Sequence, residues 1–281
     1  MSEPVYILAV SGGVDSVVML HMMSRVPGRR YVVAHVDHGI RPESAQDAEF
    51  VAHLAREYSY SYESVQLELG ANASEEYARD ERWKFLKHVQ QQYSAEAIVT
   101  GHHADDVVET IIINLLRGTG WRGLVSLREH KQLKRPLLAM QKSDVRAYAE
   151  AHDLSWQEDV TNTDESYLRN HVRHQIIPKI NPDVFDEFMR LYRETLDLGR
   201  EIGDEIMAVM PRELNRYEYI MWPDNVAREL LRIHVGSLPL VEMNSVLHFI
   251  RTARPHKTKQ ISGGLRLKTT VKQFIVIRGD N

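Results

Sequence analysis

Three short segments hold residue types suited to gripping a phosphate and an amine: Ser11-Gly12-Gly13-Val14-Asp15-Ser16, His35-Val36-Asp37-His38-Gly39 and Gly101-His102-His103-Ala104-Asp105-Asp106-Val107-Val108-Glu109. In the first, two glycines let the backbone turn tightly and present N–H groups to an anion, which a following helix N-terminus also favours. The hydroxyls of Ser11 and Ser16 add donors. An ordinary strand-to-helix turn uses the same residue types, so the segment alone leaves both readings open. It is not a Walker A loop, which ends in a lysine that reaches the terminal phosphates.

The third segment is acidic. Asp105 and Glu109 are spaced i and i+4, Asp106 flanks them, and His102 lies four residues before Asp106. On a helix these carboxylates could receive an amine through charge-assisted hydrogen bonds. An acidic first turn is also plain helix electrostatics, favourable by ~0.3–1 kcal/mol. One helix start makes an incomplete zinc shell, whereas Mg²⁺ needs only one or two carboxylates beside phosphate oxygens. Asp37 and Asp106 are the candidate Mg²⁺ ligands, and Asp37 is equally suited to cap its turn. His102, His103 and the carboxylates are all candidates to accept a proton in a reaction at this site.

Further along, Gly118 to Gly123 matches G-x-G-x-x-G but follows a helical run rather than a strand, so a dinucleotide fingerprint is excluded by context. Arg117, Trp121 and Arg122 there suit base stacking or phosphate contact. A helix-ending glycine and a packed tryptophan explain Gly118 and Trp121 as well. Two arginine pairs, Arg79 with Arg82 and Arg169 with Arg173, sit about one helical turn apart and could reach a phosphate.

The elements that must position these residues alternate. Apolar runs at 5–10, 31–36 and 97–100 read as strands, with a weaker strand signal at 62–67, and stretches at 15–23, 43–58, from Ser74 onward, and 105–116 read as helices. Such alternation implies right-handed βαβ units and a parallel sheet, with ligands beyond the C-terminal strand ends. All three polar segments fall at those ends. After 178 the pattern becomes helical, at 183–210, 226–235 and 241–251, and finishes in turn and strand signals at 261–277. The expected organisation is a domain over 1–182 and a small, mainly helical domain with a β tail over 183–281.

The 281 residues include no cysteine, which excludes a thiolate nucleophile, a zinc ribbon or an iron–sulfur cluster built from this chain. No run approaches 18 apolar residues, and the N-terminus lacks a signal-peptide pattern, so a cytoplasmic address is expected. The formal charge of −4 is unevenly spread. Residues 1–110 carry 9 basic and 17 acidic side chains (net −8), while residues 250–281 carry eight Lys or Arg against one Asp. An acidic front and a basic tail fit an amine at one end and a nucleic-acid backbone at the other.

S-G-G-x-D-S after the first strand resembles the pyrophosphate loop of the N-type ATP pyrophosphatases, the PP-loop superfamily with its adenine-nucleotide α-hydrolase-like fold. The blocks His35-Val-Asp-His-Gly-Ile-Arg41, Gly101 to Thr110, Leu116 to Leu124, Arg135-Pro-Leu-Leu138, Trp156 to Asn162 and Tyr167-Leu-Arg-Asn170 resemble, in order, the tRNA(Ile)-lysidine synthetase family. The likeness is dense over 5–180 and weak beyond, where Ile261-Ser-Gly-Gly264 stands in place of a Leu-Pro-Gly-Gly pattern. It implies adenylation by ATP, with Mg²⁺, of the wobble cytidine of tRNA(Ile) bearing a CAU anticodon, then attack by free lysine. It places Ser11, Gly12, Gly13, Val14, Asp15, Ser16 and the backbone at His35 on ATP. Asp37, Asp105 and Glu109 would bind lysine, and Asp37, His102, Asp105, Asp106, Glu109 and Arg169 would form the catalytic set. Arg117, Trp121, Arg122 and Arg173 would meet RNA, joined by Arg251, Arg254, Lys257, Lys259, Arg266, Lys268 and Lys272. The alternatives are a tRNA thiolase, which the missing cysteine disfavours, an ammonia-dependent synthetase, or a non-catalytic RNA- or nucleotide-binding module.

Overall fold

The computed structural model describes residues 3–37, 44–67, 75–157, 168–210, 214–236 and 238–278. Of the motif positions above, 38–41, 158–162 and 167 lie outside the described residues, as does Ser74. Strands β1 (Val5–Ala9), β2 (Arg30–Asp37), β3 (Ser61–Gln66), β4 (Ala97–Thr100) and β5 (Leu133–Lys134) form one parallel sheet in the order β3-β2-β1-β4-β5. Ile7 sits opposite Val32 on one side and Ile98 on the other.

Successive side chains serve opposite faces. Tyr6, Leu8, Tyr31, Val33 and Val99 pack with α1 (Val14–Ser24), α2 (Ser44–Glu57) and α6 (Lys142–Ala151). Ile7, Val32, Ala34 and Ile98 pack on Leu86 and Val89 of α3 (Glu75–Gln92). Both faces of the inner strands are covered, which is why β1, β2 and β4 read as continuous apolar runs while the edge strand β3 does not. Ile7 and Leu8 are fully buried, worth ~1.5–3 kcal/mol each. The chain steps outward from β1 to β2 and β3, then returns to β4 on β1's other side. That reversal opens a crevice between the ends of β1 and β4.

Helix α4 (Ala104–Leu116) buries Val107, Val108 and Ile111 against Val125, Leu127, Phe185, Met189 and Tyr192. The last three belong to α8 (Pro182–Val209). By packing, the chain divides into two compact units, Met1–Leu196 and Asp197–Asn281, the first turns of α8 filling the first unit's core.

In the second unit, α9 (Arg216–Met221), α10 (Asp224–Val235) and α11 (Leu240–Thr252) share a core with an antiparallel sheet, β6 (Thr258–Ile261), β7 (Leu265–Thr269) and β8 (Phe274–Arg278). Tyr219, Leu230, Met243, Leu267 and Phe274 are at its centre. The expected fold class, a parallel α/β sheet covered on both faces followed by helices and a β tail, is the one adopted. No described helix is long and apolar enough to cross a membrane.

Candidate active site

The loop after β1 is closed by one hydroxyl. Ser16 Oγ accepts from Ser11 N and Gly12 N, both at 3.2 Å, and donates to Gly13 O at 2.8 Å. Its single proton is thereby spent, so at the 3.3 Å contact between the two hydroxyls it is Ser11 Oγ that donates. Ser16 is buried and holds the loop from inside, which differs from the expected phosphate donor; Ser11 remains exposed. Gly12, at φ +98°, takes a backbone conformation that side chains disfavour.

The end of β4 comes down on this loop. A Cβ at Gly101 would lie 2.9 Å from the carbonyl oxygen of Asp15, so a glycine is required there for the two turns to meet. The two following histidines are driven in opposite directions. His102 packs with Nδ1 2.9 Å from Thr100 Oγ1. Burial foremost lowers its pKa to about 4; Asp106 opposes this, while Arg135, Arg82 and Arg79 add to it. His103 is buried, and its ring nitrogens lie 3.4 Å from Asp105, 3.5 Å from Asp106 and 3.8 Å from Asp15. Desolvation works against its charge, and the three carboxylates outweigh it and raise its pKa.

Asp106 accepts from His103 N at 2.9 Å, tying the first turn of α4 to its own entry. Asp105 accepts from Lys142 N at 2.7 Å, and Ala104 N donates to Met140 O at 2.8 Å, so the starts of α4 and α6 are locked together. Burial would raise the pKa of Asp105, but the hydrogen bonds from His103 and Lys142 N win and lower it.

Glu109, 2% exposed, is clamped. Arg169 Nε, on α7 (Leu168–His171), donates to Oε1 at 2.7 Å; Arg173 Nε, in the π turn Val172–Ile176 that follows, donates to Oε2 at 2.8 Å. Arg173 Nη2 also reaches Asp106 Oδ1 at 3.2 Å. Burial pushes the Glu109 carboxyl up and Asp106 adds to the rise, while the two arginines compensate only in part.

These groups surround a cavity of about 650 Å³. Ser11, Gly13, Val14, Asp15, His103, Asp105, Asp106, Glu109 and Arg173 line it, together with Lys142, Arg146, Trp156, Gln157 and His174. Asp37, His35 and His102 are not among its lining residues. His35 donates through Nδ1 to Val10 O at 2.9 Å and keeps a buried Nε2 without a partner.

Two corrections concern charge. Glu109, expected to meet an amine, has both oxygens taken by guanidinium groups, and Arg173, expected on RNA, is one of the two that take them. Arg251, also expected on RNA, donates to Tyr219 O and Trp222 O at 2.8 Å each and pairs with Asp224, closing the end of α9.

Elsewhere, Arg122 stacks over Trp121 with 4.4 Å to the ring centroid, and Trp121 packs on the core beside α4. Arg117 caps α4, followed by Gly118 at φ +66°, and stays exposed. Lys259 lies 6.0 Å over the Phe249 ring, while Arg254, Lys257, Arg266, Lys268 and Lys272 are exposed.

Lys142 is the site residue that the sequence reading missed. It stands 127 residues from Asp15, whose carboxylate oxygens lie 2.6 and 2.7 Å from its ammonium. The available signal was a cation at the first position of a helix, where the dipole disfavours it.

Among the described residues no group of three His, Asp or Glu is placed to hold a metal. Mg²⁺ with a phosphate ligand asks for less, and Asp106 at the cavity wall fits that demand.

Residues 2–180 match the model of the PP-loop domain. A tRNA(Ile)-lysidine synthase of Thermotoga maritima is 33% identical over 225 residues, covering 75% of this chain and 54% of that protein. One of Thermus thermophilus is 40% identical over 179 residues, covering 61% and 35%. The chain thus matches about half or less of the length of these relatives. Among solved structures, the U34-tRNA thiolase NcsA of Methanococcus maripaludis shares the fold, with a TM-score of 0.59 at 20% identity, covering 70% of this chain and 73% of that one.

Proposed function

The chain belongs to the PP-loop domain family, and on that premise we propose that it is an ATP-dependent ligase joining free lysine to C2 of the wobble cytidine of tRNA(Ile) with a CAU anticodon. The observation that carries this reading is the meeting, in one cavity, of the Ser11–Gly13 loop with the carboxylates of α4. ATP lies with its phosphates on the loop N–H groups and on Ser11. The C2 oxygen of cytidine attacks the α-phosphorus, the α–β bridging bond breaks, and pyrophosphate leaves with that electron pair. The ε-amine of lysine then adds to C2, and AMP departs with the oxygen.

Each side chain has a task in this scheme. Asp105 and Asp106 hold and help deprotonate the amine, since Glu109 is committed to Arg169 and Arg173. Glu109 instead positions those guanidiniums, which face the adenylated intermediate. His103, whose pKa the three surrounding carboxylates raise, stands among the groups that hold the amine. Mg²⁺, when bound, neutralises phosphate charge, with Asp106 as its ligand on this wall. The exposed bases Arg254, Lys257, Arg266, Lys268 and Lys272 track the RNA backbone, and the reaction is placed in the cytoplasm.

Purified protein with ATP, Mg²⁺, labelled lysine and tRNA(Ile) should release AMP and pyrophosphate and carry label into RNA only when all components are present. Lysine that stays free while ammonia or sulfur is incorporated would sink the reading. Asp105→Asn should raise the KM for lysine at least tenfold.

A further inference from the structure

The Ser11–Gly13 loop carries no basic residue of its own, yet the terminal phosphates of a nucleotide would bring several negative charges to it. Around the cavity the guanidinium of Arg173 is spent on Glu109 and Asp106. α6 puts two cations on the cavity wall, Arg146 and Lys142, and it is Lys142 whose ammonium is held by both oxygens of Asp15, one residue into α1.

Stability does not account for this placement. The pair is about one-third exposed on each side, so solvent screens it and it stabilises little. A cation at the first position of a helix is opposed by the dipole. The main chain beneath Lys142 is nonetheless fixed with care, its N–H held by Asp105 and the preceding turn by Ala104 N to Met140 O. Anchoring of this kind presents a side chain in a set position.

We propose that Lys142 is the phosphate-neutralising cation of the loop: Asp15 holds its ammonium at the loop mouth, and it passes to the β- and γ-phosphate oxygens when nucleotide binds. This rests on the ATP-cleaving reading above and adds a residue to it. As the α-phosphorus gains its bond to the acceptor oxygen and loses the one to the bridging oxygen, the electron pair moves onto pyrophosphate. Lys142 balances that charge and transfers no proton.

The test uses the full chain with inorganic pyrophosphate and ATP as probes, in Lys142→Gln and Lys142→Arg. Lys142→Gln should weaken pyrophosphate binding at least tenfold and lower kcat at saturating ATP by a similar factor, with the KM for lysine unchanged within twofold. Lys142→Arg should restore most of the pyrophosphate binding, which a merely structural pair with Asp15 would not require. Pyrophosphate bound equally well by Lys142→Gln and the unaltered protein overturns the assignment while leaving the ATP reading in place. An unaltered protein that binds neither probe overturns both.

Discussion

Glu109 and Arg216 are both charged side chains almost wholly removed from water, and the two units satisfy them in opposite ways. Glu109, 2% exposed, is met by the guanidiniums of Arg169 and Arg173. Arg216, 8% exposed, is met by main-chain carbonyls: Nε to Ile250 O at 2.7 Å, Nη1 to Thr270 O at 3.1 Å, and Nη2 to Ala253 O at 2.7 Å. A charge held by other mobile charges can re-partition when a charged ligand arrives. A charge caged by carbonyls is part of the scaffold and has nothing left to offer. Basic residues in the second unit therefore cannot be read as RNA contacts by sign alone, as Arg251 also illustrates.

The sharpest way to break this contrast is Arg216→Met, which strands several buried carbonyls. It should cost on the order of 3–5 kcal/mol in a denaturant melt of the whole chain. A loss below about 1 kcal/mol would mean the cage is dispensable.

Next comes acid. His102 has a folded pKa of about 4 against an ordinary 6.5, so above pH 6.5 it is neutral in both states. As pH falls from 6.5 toward 4, the unfolded chain takes the proton first, and stability should decline by up to about 3 kcal/mol. His102→Asn should flatten that slope in pH-dependent melts; an unchanged slope would place its origin elsewhere.

Glu109→Gln sets catalysis against scaffolding. It should lower kcat about 100-fold, on the order of 2.7 kcal/mol, with a smaller change in the KM for lysine than Asp105→Asn produces. A lysine KM that rises as far as in Asp105→Asn would return Glu109 to the amine.

The smallest effect on stability is expected for Arg266→Ala with Lys268→Ala, both on the exposed side of β7. Melting should shift by no more than about 0.5 kcal/mol. The salt slope of RNA binding should fall by about one per lost contact, and an unaltered slope would remove this face from the RNA surface.

The strands of the first unit were legible because burial on both faces leaves an unbroken apolar run, as in Val5–Ala9. β5 was not, since two residues, Leu133–Lys134, carry no periodicity. The loop and the α4 carboxylates were visible as local motifs, and so were the arginine pairs on 79–82 and 169–173. What spacing along one helix could not reveal is which pair faces which. Glu109 looked like an amine ligand until the segment from Leu168 to Ile176 was folded over it. Lys142 was hidden for the same reason, its partner lying 127 residues away. The expected boundary at 182/183 follows the start of a helix, and spacing along the chain could not show that Phe185, Met189 and Tyr192 of that helix fill the first unit's core.

Gly101 carries a mechanical corollary. With no room for even a methyl group between the end of β4 and the Asp15 carbonyl, the two turns touch backbone to backbone without a side chain as cushion. Neither can advance toward the other by more than a few tenths of an ångström. The loop side and the carboxylate side of the cavity thus already stand at their closest approach along this line, and drawing them tighter is barred by the main chain itself.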